Sequence, residues 1–326
     1  MKRFIVFLGC LLAAPLLRAQ HIDEVSVDAR TTFHQQTTDG VYDSHFQGDF
    51  FNLHIKGHMS ETLTYRVRQR MNKKIDEKNP FNATDLLWIR WQANPRWSFT
   101  AGKQAILVGG YEYDSAPIDV YYYGAFTNRL YQYFAFGATA TWTPVKGQDI
   151  SFQFCPSPIS PGTQDSYSYN VYWNGGAGVW KTTWSYNFVE DELHRHMNWI
   201  ALGNKFTLGN LAVDVDYINR AAFGQPRFLF TDFSLISKAI WTVGKWNLCT
   251  KVGYERNFAE NVDAEGQSYD LVLPAGNDYI YGGCGVEYFP LGNENLRLHA
   301  VFFLDNHDKV RNFDIGITWR FSLYKR

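Results

Sequence analysis

The chain has 326 residues, with 31 Lys and Arg against 32 Asp and Glu, and 17% of it is aromatic. That apolar and aromatic content excludes a disordered chain, and the near-neutral charge excludes a basic nucleic-acid binder. Beyond residue 19 no apolar run approaches the length of a spanning helix, so the composition suits an all-β protein.

Met1-Lys2-Arg3 is a short basic start, Phe4 to Leu17 is apolar, and Arg18-Ala19-Gln20 ends the stretch. This pattern predicts a secretory signal peptide over residues 1–19, cut after Ala19, although Leu17 departs from the small-residue rule. Residues 20–326 then form one domain, in which 28 basic residues face 32 acidic ones. Its cysteines, Cys155, Cys249 and Cys284, are odd in number, far apart and within strand-like segments. They read as free thiols, and no spacing of Cys and His suggests a zinc site.

Period-two alternation predicts sixteen strands and no helix. They fall near 22–35, 46–57, 61–72, 83–94, 96–106, 131–143, 148–157, 167–174, 177–188, 195–207, 211–221, 226–241, 245–257, 278–289, 294–304 and 310–323. The last is the clearest: Phe313, Ile315, Ile317, Trp319, Phe321 and Leu323 alternate with Asn312, Asp314, Gly316, Thr318, Arg320 and Ser322. Every second connection is very short, as at Asn94-Pro95, Val145-Lys146-Gly147, Leu208-Gly209-Asn210, Gly244 and Leu291-Gly292-Asn293. The others are mostly longer, notably 107–130 and 258–277. Tight turns alternating with long loops are the plan of an outer-membrane barrel. A secreted β-sandwich also has period-two strands. It does not call for interfacial girdles such as Trp88, Trp91, Trp97, Trp142, Trp173, Trp180, Trp246 and Trp319 would form, nor for a closing strand rich in aromatics. The expected fold is a 16-stranded antiparallel transmembrane β-barrel with short periplasmic turns and longer outer loops.

Three local motifs carry a resemblance. Ala101-Gly102-Lys103-Gln104, then Gly109-Gly110-Tyr111-Glu112-Tyr113-Asp114, then Ala116-Pro117-Ile118-Asp119-Val120-Tyr121 resemble the porin O and P ("phosphate-selective porin") family, in its Bacteroidetes form. The resemblance implies a sixteen-stranded outer-membrane porin, usually a homotrimer, with no cofactor.

In such a barrel the polar face of each strand lines a water-filled lumen. On strand 61–72, Thr64, Arg66, Arg68, Arg70 and Asn72 share one face, and the arginines stand about 6.6–7 Å apart as a ladder. Arg90, Lys56 and His54 on neighbouring strands add to it. Arginine keeps its charge at any working pH, and basic rings lower the barrier for anions. Loop 107–130 is expected to fold inward and narrow the channel. It carries Glu112, Asp114 and Asp119 with several tyrosines, and the small inward residues Ala135, Gly137, Thr139, Thr141 and Thr143 leave room for it. An acidic loop opposite an arginine wall predicts a transverse field across the constriction. The loop has no basic cluster, and Asp28, Asp214, Asp216, Glu255, Glu287 and Asp314 also face the lumen. The residues therefore favour a general diffusion pore for small hydrophilic solutes and ions, with a weak preference of either sign, anions (phosphate) included, over strict phosphate selectivity. A barrel whose loop fills the lumen, in a binding or structural role, is the other reading.

Two groups hint at other chemistry. His194-Arg195-His196 with Glu190, Asp191 and Glu192 has metal-ligand residue types but reads as exposed loop charge. His299 and Asp314 on adjacent strands read as lumen polar residues. No GxSxG, HExxH, GxGxxG or phosphate loop is present.

Overall fold

The computed structural model describes residues 21–326 apart from Lys78, Leu193, His194, His307 and Asp308. The signal peptide expected over residues 1–19 and the His194 of the loop cluster lie outside the described residues.

Sixteen strands follow in chain order: β1 His21–Thr38, β2 Val41–Ser60, β3 Leu63–Arg70, β4 Thr84–Asn94, β5 Trp97–Ala105, β6 Phe134–Val145, β7 Gln148–Pro156, β8 Tyr167–Ala177, β9 Trp180–Glu190, β10 His196–Leu208, β11 Leu211–Ala222, β12 Asp232–Val243, β13 Trp246–Asn257, β14 Asn277–Tyr288, β15 Leu296–Asp305 and β16 Arg311–Lys325. Each pairs antiparallel with the next, and β16 returns to β1 in register from Glu24↔Lys325 to Thr37↔Arg311, closing the barrel. Closure leaves no sheet edge unpaired, which a strand crossing lipid requires.

Alternation holds along the wall. On β16, Asn312, Asp314 and Thr318 are buried toward the lumen while Phe313, Ile315, Phe321 and Leu323 are exposed outward. Leu87, Ile89, Phe99, Phe152, Leu248, Val252, Leu298 and Phe302 continue this outer apolar belt. Tryptophans collect near the tight turns. Trp91, Trp142, Trp241 and Trp246 point outward, and Trp173 meets Trp184 edge to face at 5.2 Å. Trp88 departs from the expected girdle. It shares the even-numbered face of β4 with Leu86 and Arg90 and lines the lumen.

Three corrections concern elements. Polar residues hid the ends of the first hairpin, which runs on to a two-residue Asp39-Gly40 turn with positive φ at both positions. The apolar run Phe228-Leu229-Phe230 suggested strand, but it lies in the loop 223–231, where Phe230 has φ 61° and β12 starts only at Asp232. Short helical segments also occur among the described residues: α1 Tyr111–Asp114, a 3-10 turn Pro117–Asp119, and α2 Ala125–Arg129. All three lie in the segment between β5 and β6. A chain lying free of the sheet must satisfy its own backbone, and these turns do part of that.

Gly102 on β5 has φ +117°, and a Cβ there would sit 2.3 Å from the Leu87 carbonyl oxygen. Only glycine allows this backbone against β4. Gly102→Ala is expected to destabilise the barrel by about 2 kcal/mol or more. The check is a lower temperature for the shift from folded to unfolded mobility in a detergent gel.

Candidate functional site: an arginine-lined chamber beside an infolded loop

On β3 the alternation turns Arg66, Arg68 and Arg70 inward. On β4, Arg90 faces the same space, two rungs along from Leu86 in the register Arg68↔Leu86 and Thr64↔Arg90. Between this wall and the segment 106–133 lies a cavity of about 700 Å³. Arg66, Arg68, Arg70 and Arg90 line one side of it. Tyr113, Asp114, Ser115, Tyr123, Asn128 and Tyr133 line the other. Lys56 stands across from Arg66 in register but pairs with Glu24 at 3.0 Å, and it does not line this cavity. His54 pairs with Asp28 at 3.1 Å.

The ladder has a carboxylate partner that the alternation concealed. Asp85 shares odd parity with Leu87 and Ile89 and should face lipid. A bulge between Arg68 and Gln69, where the register jumps from Leu86 to Thr84, turns Asp85 inward. Arg68 Nε donates to it at 3.1 Å and Arg70 Nε at 3.0 Å. Asp85 is 6% exposed, so it fixes the two guanidinium groups rather than meeting solutes. Arg66 has no carboxylate within ion-pair distance among the described residues, and Arg90 Nε donates to the Thr100 hydroxyl at 3.1 Å. Asp85→Asn would leave three ladder charges unopposed. The expected result is a severalfold rise in the anion-to-cation permeability ratio, read as a shift of reversal potential in a salt gradient.

The loop is fastened to the wall opposite the ladder. Asp216 on β11 accepts the N–H groups of Tyr111 and Glu112, both at 2.8 Å, at the start of α1. Glu255 on β13 accepts those of Ala125 at 2.5 Å and Phe126 at 2.7 Å, at the start of α2. Each carboxylate thus satisfies amides that a helix start leaves without partners. Gly109 donates to Ser185 Oγ at 2.8 Å, and a Cβ at Gly109 would lie 2.5 Å from the Thr183 carbonyl oxygen, so a glycine is what lets the loop touch β9. Beneath the loop sits a small apolar core. Phe126 meets Trp199 edge to face at 5.4 Å, with Ile106, Val108, Leu130 and Ile218 buried around it. The inward apolar residues of β10 and β11 are explained by this core.

Of the three loop acids, the structure brings one to the chamber. Asp114 is exposed on its wall. Glu112 accepts the Gly124 N–H at 2.7 Å and forms an ion pair with Lys251. Asp119 is bound by Arg320 at 2.6 Å and Arg297 at 3.0 Å. Arg30 reinforces the same point by donating to the carbonyls of Ile118 at 3.1 Å and Val120 at 2.9 Å. The loop has no basic cluster of its own. Three arginines from β1, β15 and β16 supply one, and their inward parity was the only signal in the sequence.

The remaining lumen acids are likewise engaged. Glu287 is paired with Arg297 at 3.2 Å and accepts Tyr121 Oη at 2.7 Å; Asp214 pairs with Lys205 at 3.2 Å; Asp314 pairs with His34 at 2.6 Å. None of these three lines the chamber, whereas Asp28, paired with His54, stands beside the ladder arginines in an adjoining cavity. His299 faces the Tyr121 ring at 4.6 Å instead of bonding Asp314. In the 191–195 loop, Arg195 Nε bonds Asp191 at 2.6 Å. Cys249 lies inside and Cys284 is exposed, on opposite faces of adjacent strands, and the three cysteines are free.

The chamber adjoins two smaller cavities. One, of about 280 Å³ beside Arg30 and His34, shares Tyr123 and Asn128 with it. The other, of about 140 Å³ beside Asp28 and His54, shares the three ladder arginines. Together they follow the β1–β5 side of the lumen, past the loop.

A closed sixteen-stranded barrel with a long third loop laid along its inner wall is the fold of outer-membrane porins. Solved structures agree. OmpT of Vibrio cholerae in its trimer form is 12% identical, with a TM-score of 0.63, over 93% of this chain and all of that one. OmpF of Salmonella typhi, in complex with daunomycin, is 14% identical with a TM-score of 0.65, over 92% of this chain and 98% of that one. OccK8 (OprE) of Pseudomonas aeruginosa is 8% identical with a TM-score of 0.51, over 95% of this chain and all of that one. At such identities the likeness is one of fold. Among curated proteins none matches the sequence. Residues 28–180 match the model of the family described as phosphate-selective porin O and P. That span holds the ladder, the bulge at Asp85 and the infolded loop.

Proposed function

We propose that this protein is a water-filled outer-membrane channel through which small hydrophilic solutes diffuse passively, with a preference for anions. The carrying observation is the chamber itself, where four guanidinium groups and one exposed carboxylate line the space left open by the loop. The acids of the far wall are spent on backbone amides and on basic partners, so the field in the chamber is positive. Arg66, Arg68, Arg70 and Arg90 are the proposed selectivity residues. Asp114 moderates them, and Glu112 and Asp119 shape the constriction by holding the loop. Lys56 contributes little, because Glu24 neutralises it. Phosphate is one candidate among the anions, supported by the family's name. A homotrimer is the proposed assembly, supported by the trimer form of the similar OmpT.

The run of cavities past the loop favours a channel over a plugged barrel. The test is single-channel recording of the refolded protein in symmetric potassium chloride. Stable open steps, often in threes, are expected. Protein inserted and folded, as judged by its gel mobility, that conducts nothing would refute the channel.

A further inference from the structure

The chamber's walls are aromatic as well as basic. Arg68 lies over the Phe134 ring at 4.7 Å and Arg90 over the Trp88 ring at 5.3 Å, while Tyr113 and Tyr133 stack at 5.6 Å on the loop side. All of these residues line the same cavity. Small inorganic anions gain only from the charge of such a wall, because apolar rings raise the barrier to hydrated ions. A flat solute gains from both parts: its ring stacks on an aromatic or guanidinium face, and its acidic group meets the guanidinium edges. Arg66, without a carboxylate partner, is placed to take that group.

Building on the channel reading, we propose that the chamber is a transient binding site for planar aromatic carboxylates, which it selects over aliphatic anions of equal charge and size. Neutral rings would stack too, but four guanidinium groups against one exposed carboxylate leave excess positive charge that only an anion compensates.

The test compares isophthalate with cis-cyclohexane-1,3-dicarboxylate, each added to one side of a bilayer holding the open channel, and reads the concentration that halves the current. Isophthalate is expected to act at a roughly fivefold lower concentration. Trp88→Leu, and independently Tyr133→Leu, should erase the difference. Arg66→Gln should weaken both dianions, and Trp173→Leu, on the lipid face, should leave the difference intact. Equal potency of the two dianions in an open channel would overturn the aromatic site while leaving the porin standing. A difference that survives both aromatic substitutions would also overturn it. Absence of current from folded protein would instead overturn the channel reading and this site with it.

Discussion

Replacing Arg66, Arg68 and Arg70 together with Gln is expected to turn the proposed anion preference into a cation preference. Three fixed positive charges leave the chamber wall, and Asp85 and Asp114 remain. Asp85 loses both of its partners, at 3.0 and 3.1 Å, and becomes an uncompensated carboxylate at the same place. Even at the screened strength of charges near a protein–water boundary, this change is worth more than 1.4 kcal/mol to a passing ion, about tenfold in the permeability ratio. The reversal potential in a potassium chloride gradient should therefore change sign. Gln keeps a polar side chain of similar reach, so closure of the pore is not the expected route. Asp85→Asn must move the potential the other way. Equal shifts in one direction from both variants would show that the ladder does not govern permeation.

The second large effect is on the loop. Replacing Asp216 and Glu255 together with Ala removes the acceptors of four backbone amides, at Tyr111, Glu112, Ala125 and Phe126. Each amide left buried without a partner costs about 1–3 kcal/mol, more than docking of a short loop can absorb. The apolar core at Phe126 and Trp199 would still attract the loop, so it should detach and redock rather than leave for good. The expected record is a current that flickers between the normal level and a larger one. The barrel itself should keep its folded gel mobility, since its strand pairing is untouched. A quiet current of unchanged size would show that the two carboxylates do not hold the loop.

The strands were legible because lipid outside and water inside impose a strict period of two. All sixteen expected strands overlap an observed one, and the fold class, the closing β16 and the third-loop position follow from alternation and turn chemistry. What failed to read was whatever breaks the period or joins distant residues. Asp85 looked like a residue on the apolar face because one extra residue in β4 reverses parity without any glycine or proline to announce it. A lone carboxylate on a lipid face was the available hint. Glu255 and Asp216 sit at ordinary inward positions on their strands. That they close on amides more than a hundred residues away is a property of the assembled barrel. Counting them as lumen charges gave an almost balanced pore, whereas their engagement with the loop leaves the chamber basic. The motif around Gly109-Gly110 was readable as a resemblance, but its physical reason, close approach of the loop to β9, needed the wall to be in place.

The decisive measurement is the zero-current potential of the unaltered protein across a tenfold potassium chloride gradient. An arginine-lined chamber as the conducting path predicts a potential on the chloride side of zero, reduced further when phosphate or a carboxylate competes for the chamber. A potential on the potassium side, in a channel that otherwise opens normally, would contradict it and place the permeation path along the acids instead.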